Sequence, residues 1–198
     1  MGLQQRDQHR YRYADYLGWP DDVRYELIDG TAWMMSPAPS RAHQELTGEI
    51  FFQIRSSLEG NPCRAFVAPF DVRLPRGDEA DDDIDTVVQP DVLVVCDPSK
   101  LDPSGMRGSP DWVVEVLSPA TAGHDQTRKL AVYERAGVPE VWLVHPSDRV
   151  LTVYRLDGER YGRPEISELT GETAPQAVDG ITIDWDRVVA RLDDPPET

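Results

Sequence analysis

Three residues in this chain join suggestive chemistry to telling surroundings: Asp91, Glu115 and Lys129. Asp91 opens the run Pro90-Asp91-Val92-Leu93-Val94-Val95, and Glu115 sits inside Trp112-Val113-Val114-Glu115-Val116-Leu117. A carboxylate in an apolar, β-branched run is costly to bury unless it is paired or bound to a cation. Neighbouring strands would bring the two carboxylates to one end of a sheet. Two hard oxygen ligands there suit Mg²⁺ or Mn²⁺, which keep several waters and often bridge to phosphate. Such an ion polarises a phosphoryl oxygen and lowers the pKa of an attacking water. The alternative for each acid is a strand-edge carboxylate that caps a turn or pairs with Arg.

Lys129 adds to this pair. The chain's 20 basic residues include only two lysines, Lys100 and Lys129. In so Arg-biased a chain a lysine invites a reason that Arg could not satisfy. Lysine is a compact charge with a tunable pKa, whereas the guanidinium is a planar fork that stays protonated. Four-residue spacing stacks Lys129 with Asp125 and Tyr133 on one helix face. The plain alternative is a solvated Lys129 paired with Asp125.

The elements around these residues follow from periodicity and turn chemistry. Tyr11 to Leu17 predicts a short helix, stopped by Gly18-Trp19-Pro20. Tyr25-Glu26-Leu27-Ile28, Asp29-Gly30 and Thr31 to Met35 predict a hairpin. Ser36-Pro37 and Ser118-Pro119 read as turn chemistry. Ser40 can cap a helix from Arg41 to Leu58, where Leu46, Ile50, Ile54 and Leu58 recur every four residues. Strands are expected at 64–74, 87–88, 92–96, 112–117, 141–144, 150–156 and 181–185. A helix is expected over 124–136, a polar acidic loop over 77–85, and a turn-rich connection over 97–110. This order predicts an α/β or α+β fold with a central mixed β-sheet flanked by helices. Tyr25, Trp33, Trp112, Tyr133 and Trp142 are read as core residues.

At 198 residues the length suits one domain over 1–198, with tails at 1–10 and 193–198. With 39% apolar residues the chain is too apolar for disorder. Its start lacks the apolar run of a signal peptide, and no stretch is long and apolar enough to span a bilayer. Cys63 and Cys96 make neither a metal-ligand spacing nor a disulfide framework, so the expected setting is a reducing cytoplasm. A Gly-rich phosphate loop, a dinucleotide fingerprint and a Gly-x-Ser-x-Gly elbow are all missing from the sequence. The net charge of −16 argues against non-specific coating of nucleic acid. Six of the negatives, Asp78, Glu79, Asp81, Asp82, Asp83 and Asp85, fall in one loop.

Taken together, Tyr25-Glu26-Leu27-Ile28-Asp29-Gly30, Met35-Ser36-Pro37 followed by His43, Gln89-Pro90-Asp91, Val114-Glu115-Val116-Leu117-Ser118-Pro119, and Asp125-Gln126-Thr127-Arg128-Lys129 with Tyr133 resemble the PD-(D/E)XK nuclease superfamily. The match is closer still to its Uma-two branch of restriction-endonuclease-like domains. The resemblance implies a nuclease-like core over 20–156 and a Mg²⁺- or Mn²⁺-dependent endonuclease acting on DNA. It implies Asp91 and Glu115 as metal ligands, with the Val116 carbonyl as a third, and Lys129 orienting the water and stabilising charge on the phosphate. Glu26 and His43 would line the site. The alternatives are an exposed strand position for Glu26 and helix-end hydrogen bonding for His43. One departure stands out: the usual pattern has Lys two residues after Glu, and here that position is Leu117. The resemblance implies that Lys129 takes over the role. Two other functions compete: a nuclease-like fold kept as a binding or assembly module, and a metal hydrolase of a small phosphorylated substrate. A homodimer is expected, as the commonest closed assembly.

Overall fold

The computed structural model describes residues 9–20, 23–35, 39–118 and 122–193. The turns expected at Ser36-Pro37 and at Pro119, and most of both expected tails, lie outside the described residues. The chain begins with a helical turn, α1 (Tyr13–Tyr16), and a hairpin, β1 (Tyr25–Ile28) and β2 (Thr31–Met34). The long helix α2 (Arg41–Ser57) follows, then β3 (Arg64–Val67), β4 (Val72–Arg73), β5 (Val87–Val88) and β6 (Val92–Val95). Next come the small hairpin β7 (Leu101–Asp102) and β8 (Gly105–Arg107), and the strand β9 (Trp112–Val116). A helical segment comprises α3 (Ala122–His124), a π-helical stretch over Asp125–Lys129, and α4 (Leu130–Ala136). The chain then forms β10 (Glu140–His145), β11 (Val150–Asp157), β12 (Arg160–Tyr161), β13 (Glu165–Glu168), β14 (Glu172–Thr173), β15 (Ile183–Asp184) and α5 (Trp185–Asp193).

The fold is α+β with mixed sheets flanked by helices, as expected; its strands divide between two large mixed sheets, and β14 pairs with β15 apart from both. One runs β2-β1-β5-β4-β8-β7; the other runs β12-β11-β10-β9-β6-β3, with β13 added on β11. The parallel pairs are β9 with β10 and β4 with β8. Between β5 and β6 the chain leaves the first sheet and enters the second. Gln89-Pro90-Asp91 makes that crossing, where proline supplies no N–H for a ladder and holds the residue before it extended. The 97–110 connection contains the β7–β8 hairpin, which its turn residues had hidden.

β9 and the two layers around it explain where Glu115 points. Successive strand residues face opposite sides. Trp112, Val114 and Val116 pack on the layer containing Leu46, Ile50 and Ile54 of α2, all fully buried. Val113 and Leu117 face the other layer, with Leu93, Val132, Tyr133 and Leu143. Glu115 shares that second face. α2 starts where Ser40 Oγ accepts the His43 N–H at 3.2 Å. Its far side holds α5 through Glu49, which pairs with Arg187 at 2.8 Å and Arg191 at 3.2 Å. The β1–β2 turn takes φ 51° at Asp29 and φ 72° at Gly30, the left-handed pair that a two-residue hairpin needs.

One expectation changes here, and another gains detail. Cys63 and Cys96 are joined in a disulfide. They flank the antiparallel pair β3–β6, in which Arg64 faces Val95, so the register sets the two cysteines opposite one another. The acidic loop is not a bare negative surface either. Asp81 pairs with Arg73 and Arg107, Asp83 with Arg12, and Asp85 with Arg76. No described helix is long and apolar enough to cross a membrane.

Candidate functional site

The seam between the two sheets gathers the charged residues. Glu26 comes from β1 in the first sheet and Glu115 from β9 in the second. Gln89-Pro90-Asp91 crosses between them, and Lys129 ends the π-helical stretch. Glu115, Glu26 and Lys129 are all buried, at 1%, 3% and 3% exposure. The exposed alternatives for Glu26 and Lys129 therefore do not hold. The side chain of Asp125, offered as a solvated partner for Lys129, lies outside the described residues.

Lys129 Nζ lies 2.7 Å from Glu115 Oε1 and 3.1 Å from Glu26 Oε1, and donates to the Gln89 carbonyl at 3.3 Å. The Tyr133 hydroxyl, one helical turn on, donates to the same Glu115 Oε1 at 2.6 Å. Burial and then the Glu115 charge hold the Tyr133 phenol well above its usual pKa, so it remains a donor. Glu115 is thus clamped through Oε1. Its Oε2 faces Asp91, whose backbone N–H approaches it at 3.4 Å.

Asp91 is fixed from two sides. Its Oδ2 accepts the Val116 N–H at 2.8 Å and lies 3.2 Å from His43 Nε2. The Leu117 N–H donates to Val144 O on β10. Alternation along the strand turns the Val116 N–H and carbonyl to the opposite edge, where Asp91 lies. His43 therefore belongs to the Asp91 side of the site, and its helix-end role coexists with that contact, since its backbone N–H meets the Ser40 cap.

Glu26 completes the inner half. Its Oε1 also accepts the Gln89 N–H at 2.9 Å, and its Oε2 lies 3.1 Å from His124 Nε2. Burial opposes its charge, but Lys129, His124 and the Gln89 N–H together outweigh it and bring the carboxyl to about 2. His124 was not singled out from the sequence. The π-helical stretch between it and Lys129 aligns residues five apart, whereas in an α-helix they would diverge by about 140°. Such stretches are frequent at functional sites.

The buried carboxylates outnumber the ammonium. Glu26 and Glu115 share one lysine, and Asp91, paired with His43, lies on the Oε2 side of Glu115; with His43 and His124 neutral this sheet end carries net negative charge. A divalent cation would offset it. Among the described residues no three His, Cys, Asp or Glu side chains are grouped to hold a metal. The oxygen donors that could hold one are fewer: Asp91, Glu115 Oε2 and the Val116 carbonyl, with water completing the shell as Mg²⁺ prefers.

Comparison with known proteins bears on the family and the fold. A model of the Uma2 family, described as "Putative restriction endonuclease", matches residues 13–186. "Uncharacterized protein slr1290" of Synechocystis sp. is 25% identical over 138 residues, covering 69% of this chain and 68% of that protein. The crystal structure of "a putative nuclease belonging to DUF820" from Anabaena variabilis superposes with a TM-score of 0.71 at 19% identity, covering 90% of this chain and 98% of that one. At that identity the likeness concerns the fold.

Proposed function

The chain belongs to the Uma2 family, and from that premise we propose that it is a metal-dependent endonuclease that hydrolyses phosphodiester bonds in DNA. The observation that carries the reading is the Lys129 ammonium at 2.7 Å from Glu115. A lysine from the helix reaches the carboxylate that the usual motif serves from position 117, where this chain has Leu117.

In this reading Asp91, Glu115 Oε2 and the Val116 carbonyl hold a Mg²⁺ or Mn²⁺ ion. When bound, the ion supplies Lewis acidity toward the phosphate and an acidified water. The chain's own residues do the positioning. Tyr133 and Lys129 together fix Glu115 so that Oε2 is presented toward Asp91. The Val116 N–H and His43 fix Asp91. Glu26 holds Lys129 beside the carboxylates, from where its charge stabilises the negative charge developing on the phosphate.

Incubation with supercoiled and single-stranded circular DNA, with Mg²⁺ or Mn²⁺ against EDTA, tests this. We expect metal-dependent nicking that falls by about 10² or more in Glu115→Gln, the scale of losing one charge-positioning group. Cleavage unaffected by that change, or none with any substrate and metal, would overturn the reading. The burial of Lys129 in ion pairs favours a second reading, a nuclease-like binding module. It would show calorimetric metal binding, lost in Asp91→Asn, without cleavage.

A further inference from the structure

Gln89 has two faces. Its backbone belongs to the carboxylate cluster, with N–H on Glu26 and carbonyl on Lys129. Its side chain points the other way, into a cavity of about 300 Å³ lined by Tyr16, Trp19, Arg24, Tyr25 and Asp71. One side chain's length therefore separates this cavity from the charged site. Three aromatic rings contribute to it and pack on one another at an angle: the Trp19 ring centre lies 5.0 Å from Tyr25 at 66° and 5.3 Å from Tyr16 at 58°.

The polar groups in the cavity are held in one arrangement. Arg24 Nη2 donates to Gln89 Oε1 at 2.8 Å, which orients the amide. Gln89 Nε2 then donates to Asp71 Oδ1 at 2.8 Å and to the Tyr16 hydroxyl at 3.2 Å. Tyr16 donates in turn to Asp71 Oδ1 at 2.9 Å. Burial, then the Asp71 charge, raises the Tyr16 pKa, so the phenol stays a donor. Asp71 itself is held by a close backbone approach. Its carbonyl accepts the Met106 N–H at 3.0 Å, and a Cβ at Gly105 would fall 2.3 Å from that carbonyl oxygen.

From this geometry we infer that the cavity is a nucleobase subsite, taking one unpaired or flipped base of the strand held at the Asp91–Glu115–Lys129 cluster. The inference rests on the nuclease reading and adds a substrate contact to it. A single aromatic face such as that of Trp19 stacks on any base, and a cavity of this size admits one base but no duplex. The exposed Arg24 guanidinium at the rim can meet the backbone phosphate of that nucleotide. The Asp71 carboxylate accepts hydrogen bonds only, so it favours a base that presents an exocyclic amine, such as cytosine or adenine, over thymine.

The test uses the whole chain with two separate readouts. Single-stranded oligonucleotides carry 2-aminopurine at each position in turn, and binding is followed by its fluorescence. A parallel set carries an abasic nucleotide or thymine at each position, and cleavage is followed with Mn²⁺. We expect quenching at one position, at a fixed distance from the cleaved bond, and about tenfold slower cleavage when that base is removed. Trp19→Leu should lower the rate on the intact strand to that on the abasic strand, and the two losses should not add. Asp71→Asn, with a melting curve to confirm folding, should narrow the gap between cytosine and thymine at that position. Cleavage with no positional dependence in either readout would overturn the subsite and leave the nuclease reading standing. Quenching at one position without cleavage would support the subsite and count against the nuclease reading. Neither signal would overturn both.

Discussion

Among the described residues two ionic clusters hold buried cations, and they are built to opposite plans. Around Arg73 the cation is inside and the anions are outside. The Arg73 side chain is 3% exposed, whereas its partners Asp81 and Asp102 are 40% and 37% exposed. Arg107 joins Asp81 from the rim at 2.7 Å, and the charges balance. Around Lys129 the anions are inside as well. Glu26 and Glu115 keep 4% and 2% side-chain exposure, and Asp91 adds a third carboxylate at 19%. The first cluster pins the acidic loop to β4 and β8. The second sets three carboxylates, one lysine and the imidazoles of His43 and His124 where the two sheets meet. Burial of charge is common to both clusters; the richness in acids is particular to the second.

The sharpest way to break this comparison is to remove each cation. Lys129→Met strands two buried carboxylates and should cost about 3–5 kcal/mol. Arg73→Met leaves acids that can turn to water, and about 1–3 kcal/mol is expected. Mn²⁺ should restore part of the loss in Lys129→Met and none in Arg73→Met. Equal losses in urea melts, or rescue of both variants, would erase the distinction.

Glu26 sharpens it through pH. Its carboxyl titrates at about 2 in the folded chain against an ordinary value of 4.5. A lowered folded pKa means stability that is complete above about pH 4.5 and lost as pH falls toward 2, about 3 kcal/mol in all. Glu26→Gln should therefore be less stable than the parent at pH 7, with the gap closing at pH 3 and below. A gap that stays constant across that window would show that Glu26 contributes nothing through its charge.

Metal should act on the site alone. At a hundredfold excess over its Kd, an ion bound only by the folded chain adds about 2.7 kcal/mol. The corresponding rise in Tm should vanish in Asp91→Asn and persist in Arg73→Met. The smallest expected effect is that of Tyr133→Phe, which loses one hydrogen bond to a charged acceptor, about 1.5 kcal/mol. It should also slow cleavage, because Glu115 loses one of its two anchors on Oε1. A stability loss with full cleavage would make Tyr133 a packing residue only.

Much of this architecture is local and therefore legible from the chain. The period of Leu46, Ile50 and Ile54, the Asp29-Gly30 turn, and the β-branched runs at 92–95 and 112–116 each encode their element through nearest neighbours. The resemblance of the Glu26, Asp91, Glu115 and Lys129 segments was legible for the same reason: each is a short motif on one element. The type and order of the chemical groups were determined by sequence alone.

The tertiary structure decided how those groups meet. Glu26 touches His124 across 98 positions, and nothing local couples them. Helical periodicity of 3.6 hid the alignment of His124 with Lys129, which depends on a π-helical stretch. The two-sheet division turns on which strands β5 and β6 choose as partners, a non-local competition that Pro90 biases without settling. The Cys63–Cys96 pairing follows from the β3–β6 register in the same way. Charge, finally, is additive in sequence but not in space. The composition gives −16, yet Asp81, Asp83 and Asp85 of the acidic loop are each paired with arginine, while Glu26 and Glu115, from separate elements, converge on one lysine with Asp91 beside them.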